Sequence, residues 1–242
     1  MNILTLNLHF SGKNSLNIDI DIYNLLKEHD VDIAGFQEIN GITYNKIKNI
    51  LGNEYDSIYK AGPGGYCIFS KYKIVKNLSR KEHFGNNIVI DYNGEEINVI
   101  NVHLHEHYEG KIPFGPYLKK KYLIDDVFNI INETQLKHIK KLCGQYNKTI
   151  LMGDFNNPSH LDDNQIIWPV SKYLWDNGYI DSFKFCNSSI GLVSSLFKSN
   201  TNYRSDMIYC KGLDVLTSNF IDSNNYFVWF SDHKGLLSKI KI

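Results

Sequence analysis

Carboxylates, amides and imidazoles recur at the ends of apolar runs along the whole chain. The runs are ILTLNLH, VDIAGFQEI, NVINVHLH, TILMGDFNN, SDMIYCK and WFSDHKGLL, and each reads as a short strand ending in Asn, Glu, His or Asp. Strands lie side by side in a sheet, so residues distant in sequence can converge at their ends. Asn7, Glu38, His103, Asp154, Asn156, Asp206, Asp232 and His233 would then form one cluster. Its oxygens suit a hard divalent cation, and its amides and imidazoles suit a phosphate.

Taken singly, several of these residues have ordinary readings. Glu38 follows an apolar strand, where an unpaired carboxylate is costly, so a metal ligand is expected; a surface acid at a strand end is the alternative. Asn7 on its own is a turn-forming amide. Asp154 and Asn156 are separated by one residue, so in extended chain both address the same point. The alternative there is a Gly-Asp turn closed by a side-chain hydrogen bond. His103 on an apolar strand can be a buried, hydrogen-bonded imidazole.

In this order LTLNLH, GFQEI, NVHL, GDFN, SDMIY and SDH resemble the motif series of the endonuclease/exonuclease/phosphatase superfamily, and GGYCIFSKYKIV is similar to its strand–Ser–Lys/Arg segment. That group includes DNase I-like nucleases, AP endonucleases, neutral sphingomyelinases and inositol polyphosphate 5-phosphatases. The resemblance runs from Asn2 to about Lys239. A lone GDFN or SDH occurs by chance; six motifs in order, each on an apolar run, do not.

The resemblance implies a role for each residue. Glu38 is the main Mg²⁺ ligand, with Mn²⁺ as a substitute, and Asn7 helps to hold the same metal. Asp232 binds the metal or orients its water. Asp154 orients or deprotonates the attacking water, and Asn156 and His103 donate to phosphate oxygens. Asp206 is the carboxylate partner of His233, a pairing that raises an imidazole pKa and fixes the ring. Some members carry Asp two residues after the first Asn; here that position is His9, so a carboxylate ligand is missing.

On the substrate side, His105, Tyr108, Phe114 and Tyr117 lie in an irregular stretch, Leu104–Tyr117, that reads as a loop entering the site. HLHEH could also be a metal tract, its histidines alternating on one strand face. NPSHLD, which contains His160, resembles a segment found in a bacterial subset of the family. There His160 touches substrate; a solvent-exposed loop histidine is the equal alternative.

The elements that must position these groups follow from periodicity. Strands are expected at Ile3–Leu8, Val31–Phe36, Tyr55–Lys60, Tyr66–Ser70, Ile88–Tyr92, Ile97–His103, Thr149–Met152, Tyr203–Tyr209, Tyr226–Phe230 and Leu236–Ile242. Helices are expected at Ile18–His29, Thr43–Leu51, Tyr122–Tyr146 as one long amphipathic helix or two, and Leu174–Gly178. Gly62-Pro63-Gly64-Gly65 reads as a turn, and Asn93-Gly94 as a hairpin loop. Mixed strands and helices with an antiparallel hairpin favour an α/β, four-layer sandwich of two mixed β-sheets flanked by helices over a doubly wound sheet. The resemblance implies the same DNase I-like fold, over one domain spanning residues 1–242.

Composition limits the partners. Lys+Arg and Asp+Glu are balanced at 26 each, so tight non-specific binding of nucleic acid through a bulk basic surplus is not expected. Cys67, Cys143, Cys186 and Cys210 show no pairing pattern and read as thiols, not a disulfide frame or zinc site. The first strand begins near Met1 and no apolar run approaches the ~20 residues of a membrane span, so a cytoplasmic location is expected, with a monomer as the default oligomeric state. The expected reaction is Mg²⁺-dependent hydrolysis of a phosphoester, first as a phosphodiesterase or nuclease, with nucleic acid as a possible partner. A phosphomonoesterase acting on a phosphoinositide or nucleotide, a sphingomyelinase-like enzyme and a catalytically silent interaction module are the alternatives.

Overall fold

The computed structural model describes the chain except residues 14, 63, 81–83, 105–127, 130, 163–165, 190–194, 196–202 and 223–228. The strands are β1 (Asn2–Asn7), β2 (Ile33–Gln37), β3 (Asp56–Lys60), β4 (Tyr66–Ser70), β5 (Ile74–Asn77), β6 (Gly85–Tyr92), β7 (Glu95–His103), β8 (Thr149–Asp154), β9 (Ile180–Asp181), β10 (Asp206–Lys211), β11 (Asp214–Ile221) and β12 (Gly235–Lys241). They form two six-stranded sheets, ordered β11-β12-β1-β2-β4-β3 and β5-β6-β7-β8-β10-β9. Both are mixed: β1 and β2 are parallel, as are β7 and β8, and the other neighbours are antiparallel.

Helices α1 (Ile18–Glu28) and α2 (Gly41–Leu51) cover one outer face. Their Ile22, Leu25, Leu26 and Ile47 pack on Leu4, Leu6, Phe36 and Phe69 of the first sheet. Helices α3 (Lys137–Leu142) and α4 (Pro169–Asp176) cover the other, where Ile139, Leu142, Val170 and Leu174 meet Ile100, Leu151 and Tyr209. A short α5 (Ser182–Cys186) follows β9. The third apolar layer lies between the sheets and includes Ile3, Ile33, Val99, Ile150 and Ile208. This is the expected four-layer sandwich of two mixed sheets.

Alternation along the central strands determines what fills the space between the sheets. Ile3, Thr5 and Asn7 point inward from β1; Ile33, Gly35 and Gln37 take the register positions beside them on β2. On the facing sheet, Val99, Asn101 and His103 of β7 align with Ile150, Met152 and Asp154 of β8, and these with Cys210, Ile208 and Asp206 of β10. The inter-sheet layer therefore runs in three decks. It is apolar at one end, mixed in the middle and polar at the other end. All four parallel strands deliver that polar end from their C-termini.

Several expectations need correction. Asp206 opens β10 and His233 precedes β12, because antiparallel strands bring their N-terminal ends to this edge. Trp229 and Phe230 lie outside any strand, stacked and buried, and residues 226–228 lie outside the described residues. The helix expected at Leu174–Gly178 spans Pro169–Asp176 instead, with Pro at its first turn supplying a preset φ. β5, β9 and β11 were not expected: β9 is only two residues long, and β5 and β11 mix apolar and polar residues on exposed sheet-edge positions, so neither alternates cleanly. β1 stops at Asn7, since the chain turns left-handed at His9, Phe10 and Ser11 (φ 46°, 53° and 64°).

Candidate active site

The polar ends of both sheets meet in a cleft of ≈ 860 Å³ whose walls include His9, Glu38, His103, Asp154, Asn156, Asp232 and His233. Asn7 bridges the sheets here. The Asn7 amide donates to Glu38 Oε1 and to Asp154 Oδ2, each at 3.1 Å. Its own Oδ1 accepts the His9 N–H at 2.9 Å. Asn7 thus acts on the site by aligning two carboxylates, while its oxygen is engaged elsewhere.

Glu38 is left-handed (φ 56°), a conformation uncommon for a glutamate and costing about 1–3 kcal/mol. The turn after β1 holds it there. Phe10 N donates to Glu38 Oε2 at 2.9 Å, and Ser11 N donates to the Glu38 carbonyl at 2.7 Å. Both Glu38 oxygens accept a hydrogen bond and retain lone pairs toward the half-buried cleft.

Asp154 is buried at the end of β8. His103 Nε2 lies 3.7 Å and His233 Nε2 3.9 Å from its Oδ2. Burial pushes this carboxyl up, but His233, His103, the Asn156 N–H and Asn7 outweigh it and hold the group below its ordinary value. Asp154 is therefore ionised at neutral pH. Asn156 does not extend the strand as expected: it is left-handed (φ 49°), and its N–H closes a turn onto Asp154 Oδ1 at 2.8 Å. Its amide donates to the Leu104 carbonyl at 2.8 Å, and the residue still lines the cleft. The side-chain-closed turn and the place in the site coexist.

His233 Nδ1 lies 2.7 Å from Asp206 Oδ2, across 27 positions of sequence. Burial alone would lower the imidazole, but Asp206, Asp154 and Asp232 push it up to about 10. Burial in turn raises the Asp206 carboxyl, and the Asp154 charge adds to this, against the pull of His233. Ser231 braces the segment from the first sheet: its hydroxyl donates to the Asn7 carbonyl at 2.6 Å and accepts the His233 N–H at 3.0 Å.

Two donor sets fit a divalent cation. Glu38 and Asp232 offer carboxylate oxygens in the cleft, the hard donors such an ion prefers. Asp154, Asp206 and His233 also present one atom each within 4.8 Å of one another. In the second set an ion would displace the proton that the carboxylates hold on His233. Asp232 is meanwhile joined to His9, whose Nδ1 lies 3.0 Å from Asp232 Oδ1. An imidazole thus stands beside Asp232 where a further carboxylate was missing from the motif.

The remaining expected residues fall elsewhere. His105, Tyr108, Phe114 and Tyr117 lie outside the described residues. His160 is not among the residues lining the cleft: its Nδ1 lies 3.0 Å from Ser171 Oγ on α4, and its ring meets Trp175 edge-on. Cys67 and Cys210 are buried, the Cys210 thiol pushed up to about 12 by burial, which suits neither for nucleophilic work.

Sequence reasoning missed two supports of the site. Gly64 (φ +83°) passes so close to His103 that a Cβ there would lie 2.8 Å from the ring Nδ1. Arg204, fully buried two residues before Asp206, pairs with Asp162 (2.9 Å) and Asp181 (2.7 Å). It ties the segment after GDFN to the start of β10. An arginine beside an apolar strand with no adjacent acid was the available signal.

The Endonuclease/Exonuclease/phosphatase family model matches residues 4–233. The chain belongs to this family. Its members are phosphoesterase hydrolases dependent on a divalent metal, and the chain is an enzyme of that class. Comparison with curated proteins returns no match. Among solved structures, a family protein from Leptotrichia buccalis is similar at 19% identity and TM-score 0.60, with both chains fully covered. The 3′ phosphatase NExo from Neisseria, bound to a product DNA hairpin, is similar at 17% identity and TM-score 0.65, again over the whole of both chains. A mannosyl-6-phosphatase from Bacteroides thetaiotaomicron is similar at 18% identity and TM-score 0.64, also over both full lengths. Among the described residues no helix is long and apolar enough to cross a membrane.

Proposed function

We propose that this phosphoesterase is a Mg²⁺-dependent hydrolase of phosphodiesters, with nucleic acid as its substrate class and Mn²⁺ as a substitute ion. The observation that carries the reading is the buried Asp154, ionised, hydrogen-bonded through Asn7 to Glu38 and flanked by two imidazoles. Glu38 and Asp232 would hold the cation, which when bound polarises the phosphate and offsets charge on the leaving oxygen. Asp154 takes a hydrogen bond from the attacking water and receives its proton. His103 and the protonated His233 donate to the phosphate oxygens, where charge grows in the transition state. Asp206 keeps the His233 ring oriented and charged. Asn156, whose backbone aligns Asp154, has amide capacity left for a phosphate oxygen. The stretch carrying His105, Tyr108, Phe114 and Tyr117 sets the substrate side, with His160 in an outer position.

A phosphomonoester is the second reading, favoured by the two similar structures that are described as phosphatases. One experiment separates them: hydrolysis of single- and double-stranded DNA, RNA, 3′-phosphorylated oligonucleotides, nucleotides, phosphoinositides and sphingomyelin, with EDTA, Mg²⁺ or Mn²⁺. Internal or terminal diester cleavage restored by Mg²⁺ is expected. Release of inorganic phosphate alone would select the monoesterase, and full turnover in EDTA would end the metal-dependent reading. Asp154→Asn keeps the shape and removes the charge, so kcat should fall by at least ~10²-fold with little change in the melting temperature. A near-normal kcat would make Asp154 structural.

A further inference from the structure

The middle deck between the sheets holds a polar cluster that the reaction does not use. Asn101 on β7 points across the layer and donates from Nδ2 to the Phe36 carbonyl (3.0 Å) and the Cys67 carbonyl (2.9 Å), on β2 and β4 of the opposite sheet. Its Oδ1 accepts from Gln37 Nε2 at 2.6 Å, and Gln37 also donates to Thr5 Oγ1 at 3.1 Å. All three side chains are buried. The amide orientations are forced: two carbonyls can only accept, so Asn101 must present its NH₂ to them and its oxygen to Gln37. Gly35 makes room, since a Cβ there would lie 2.9 Å from Asn101 Cγ and 2.7 Å from Met152 Cε.

A buried amide pair in an otherwise apolar layer costs desolvation that apolar side chains would avoid. Its place indicates what it contributes. Gln37 directly precedes Glu38, and Asn101 stands two residues before His103, in register with Met152 two before Asp154. The site draws Asn7 and Glu38 from one sheet, and His103, Asp154 and Asp206 from the other. Apolar contacts tolerate sliding between sheets; directional bonds to backbone carbonyls do not.

We propose that Asn101 and Gln37 are positioning residues: together they lock the two sheets in register one deck below the site, and so set Glu38 against His103 and Asp154. The inference rests on the phosphoesterase reading only through its activity assay. Asn101→Leu removes both donors and the acceptor while keeping the branched shape and the number of heavy atoms, its methyls adding some volume. Gln37→Met removes the bond from the other sheet and leaves the two Asn101–carbonyl bonds in place. Val99→Ala, in the apolar deck of the same β7, is the control for lost packing.

Each full-length variant is read by thermal melt, by kcat and KM on bis-p-nitrophenyl phosphate with Mn²⁺, and by the ring resonances of His103 and His233 in the metal-free protein. Asn101→Leu and Gln37→Met should lower kcat about tenfold or more with KM within about threefold, because small misplacements of reacting groups are amplified in the rate. Both should move the His103 and His233 resonances. Val99→Ala should lower the melt at least as far and leave kcat and the resonances near wild type. Folded Asn101→Leu and Gln37→Met with wild-type kcat and unmoved resonances would overturn the proposal. So would a Val99→Ala kcat loss matching theirs. If Asn101→Leu does not fold, Gln37→Met decides by the same criteria. If the wild type hydrolyses no phosphoester, the functional reading fails, and the metal-free resonances still decide the positioning role.

Discussion

At the residue scale, the His233–Asp206 pair is the most exposed to test. The His233 pKa in the fold, about 10, stands above its ordinary 6.5, so the bound proton stabilises the folded chain. That contribution is complete below pH 6.5 and is lost as pH rises through about 10. The metal-free protein, held in EDTA, should therefore melt at falling temperature between those limits. His233→Gln should flatten this fall relative to wild type; an unchanged slope would mean that His233 is neutral in the fold. The same pair should act as a unit in catalysis. Single alanine variants at Asp206 and His233 should each lose much of kcat, and the double variant should be hardly worse than the worse single one. Multiplying losses would show two independent roles. The family resemblance and the order of the motifs indicated this pair; its 2.7 Å separation follows from β10 and the start of β12 reaching the same edge from different sheets.

At the element scale, the turns after the strands are as important as the strands. Glu38 and Asn156 are left-handed, and the turn at His9–Ser11 is left-handed throughout. Such residues cost about 1–3 kcal/mol each and persist only when their surroundings hold them. Apolar periodicity reports none of this, which is why β1 was expected to run on to Leu8. Gly64, in the β3–β4 turn, is the clearest case, because any side chain there would meet the His103 ring. Gly64→Ala should lower kcat on the order of tenfold by displacing that ring, and should lower the melt as well, since a side chain at φ +83° costs about 1–3 kcal/mol. A melt collapse with no specific loss of activity in the folded fraction would place the cost in the backbone instead.

At the scale of the whole molecule, balanced charge bears on how a polyanion would bind. With 26 basic and 26 acidic side chains, no general attractive field is expected, and attraction falls to local groups. Each phosphate neutralised adds about −0.9 to the slope of log affinity on log salt. An oligonucleotide engaged at one or two phosphates should lose affinity only about tenfold or less between 50 and 200 mM salt. This is measured with a catalytically inactive Asp154→Asn chain. A loss of about 10³-fold would reveal an extended basic track that net charge conceals.

Much of this enzyme was legible in its amino-acid order. The central strands, the α1 and α2 helices and the eight polar residues at the strand ends follow from alternation, helical spacing and motif order, because each depends on neighbours within a few residues. Three matters required the folded chain. Which strand end faces the site depends on parallel or antiparallel pairing, so Asp206 and His233 come from strand beginnings. The ionic states of Asp154 and His233 depend on charges brought in by separate strands and on burial, which no single segment possesses. The Asn101–Gln37 contact depends on how two sheets face each other, and Gly35, Gln37 and Asn101 are unremarkable as strand residues until they meet across that layer. Local rules build the strands, while long-range packing alone sets the distances between their ends.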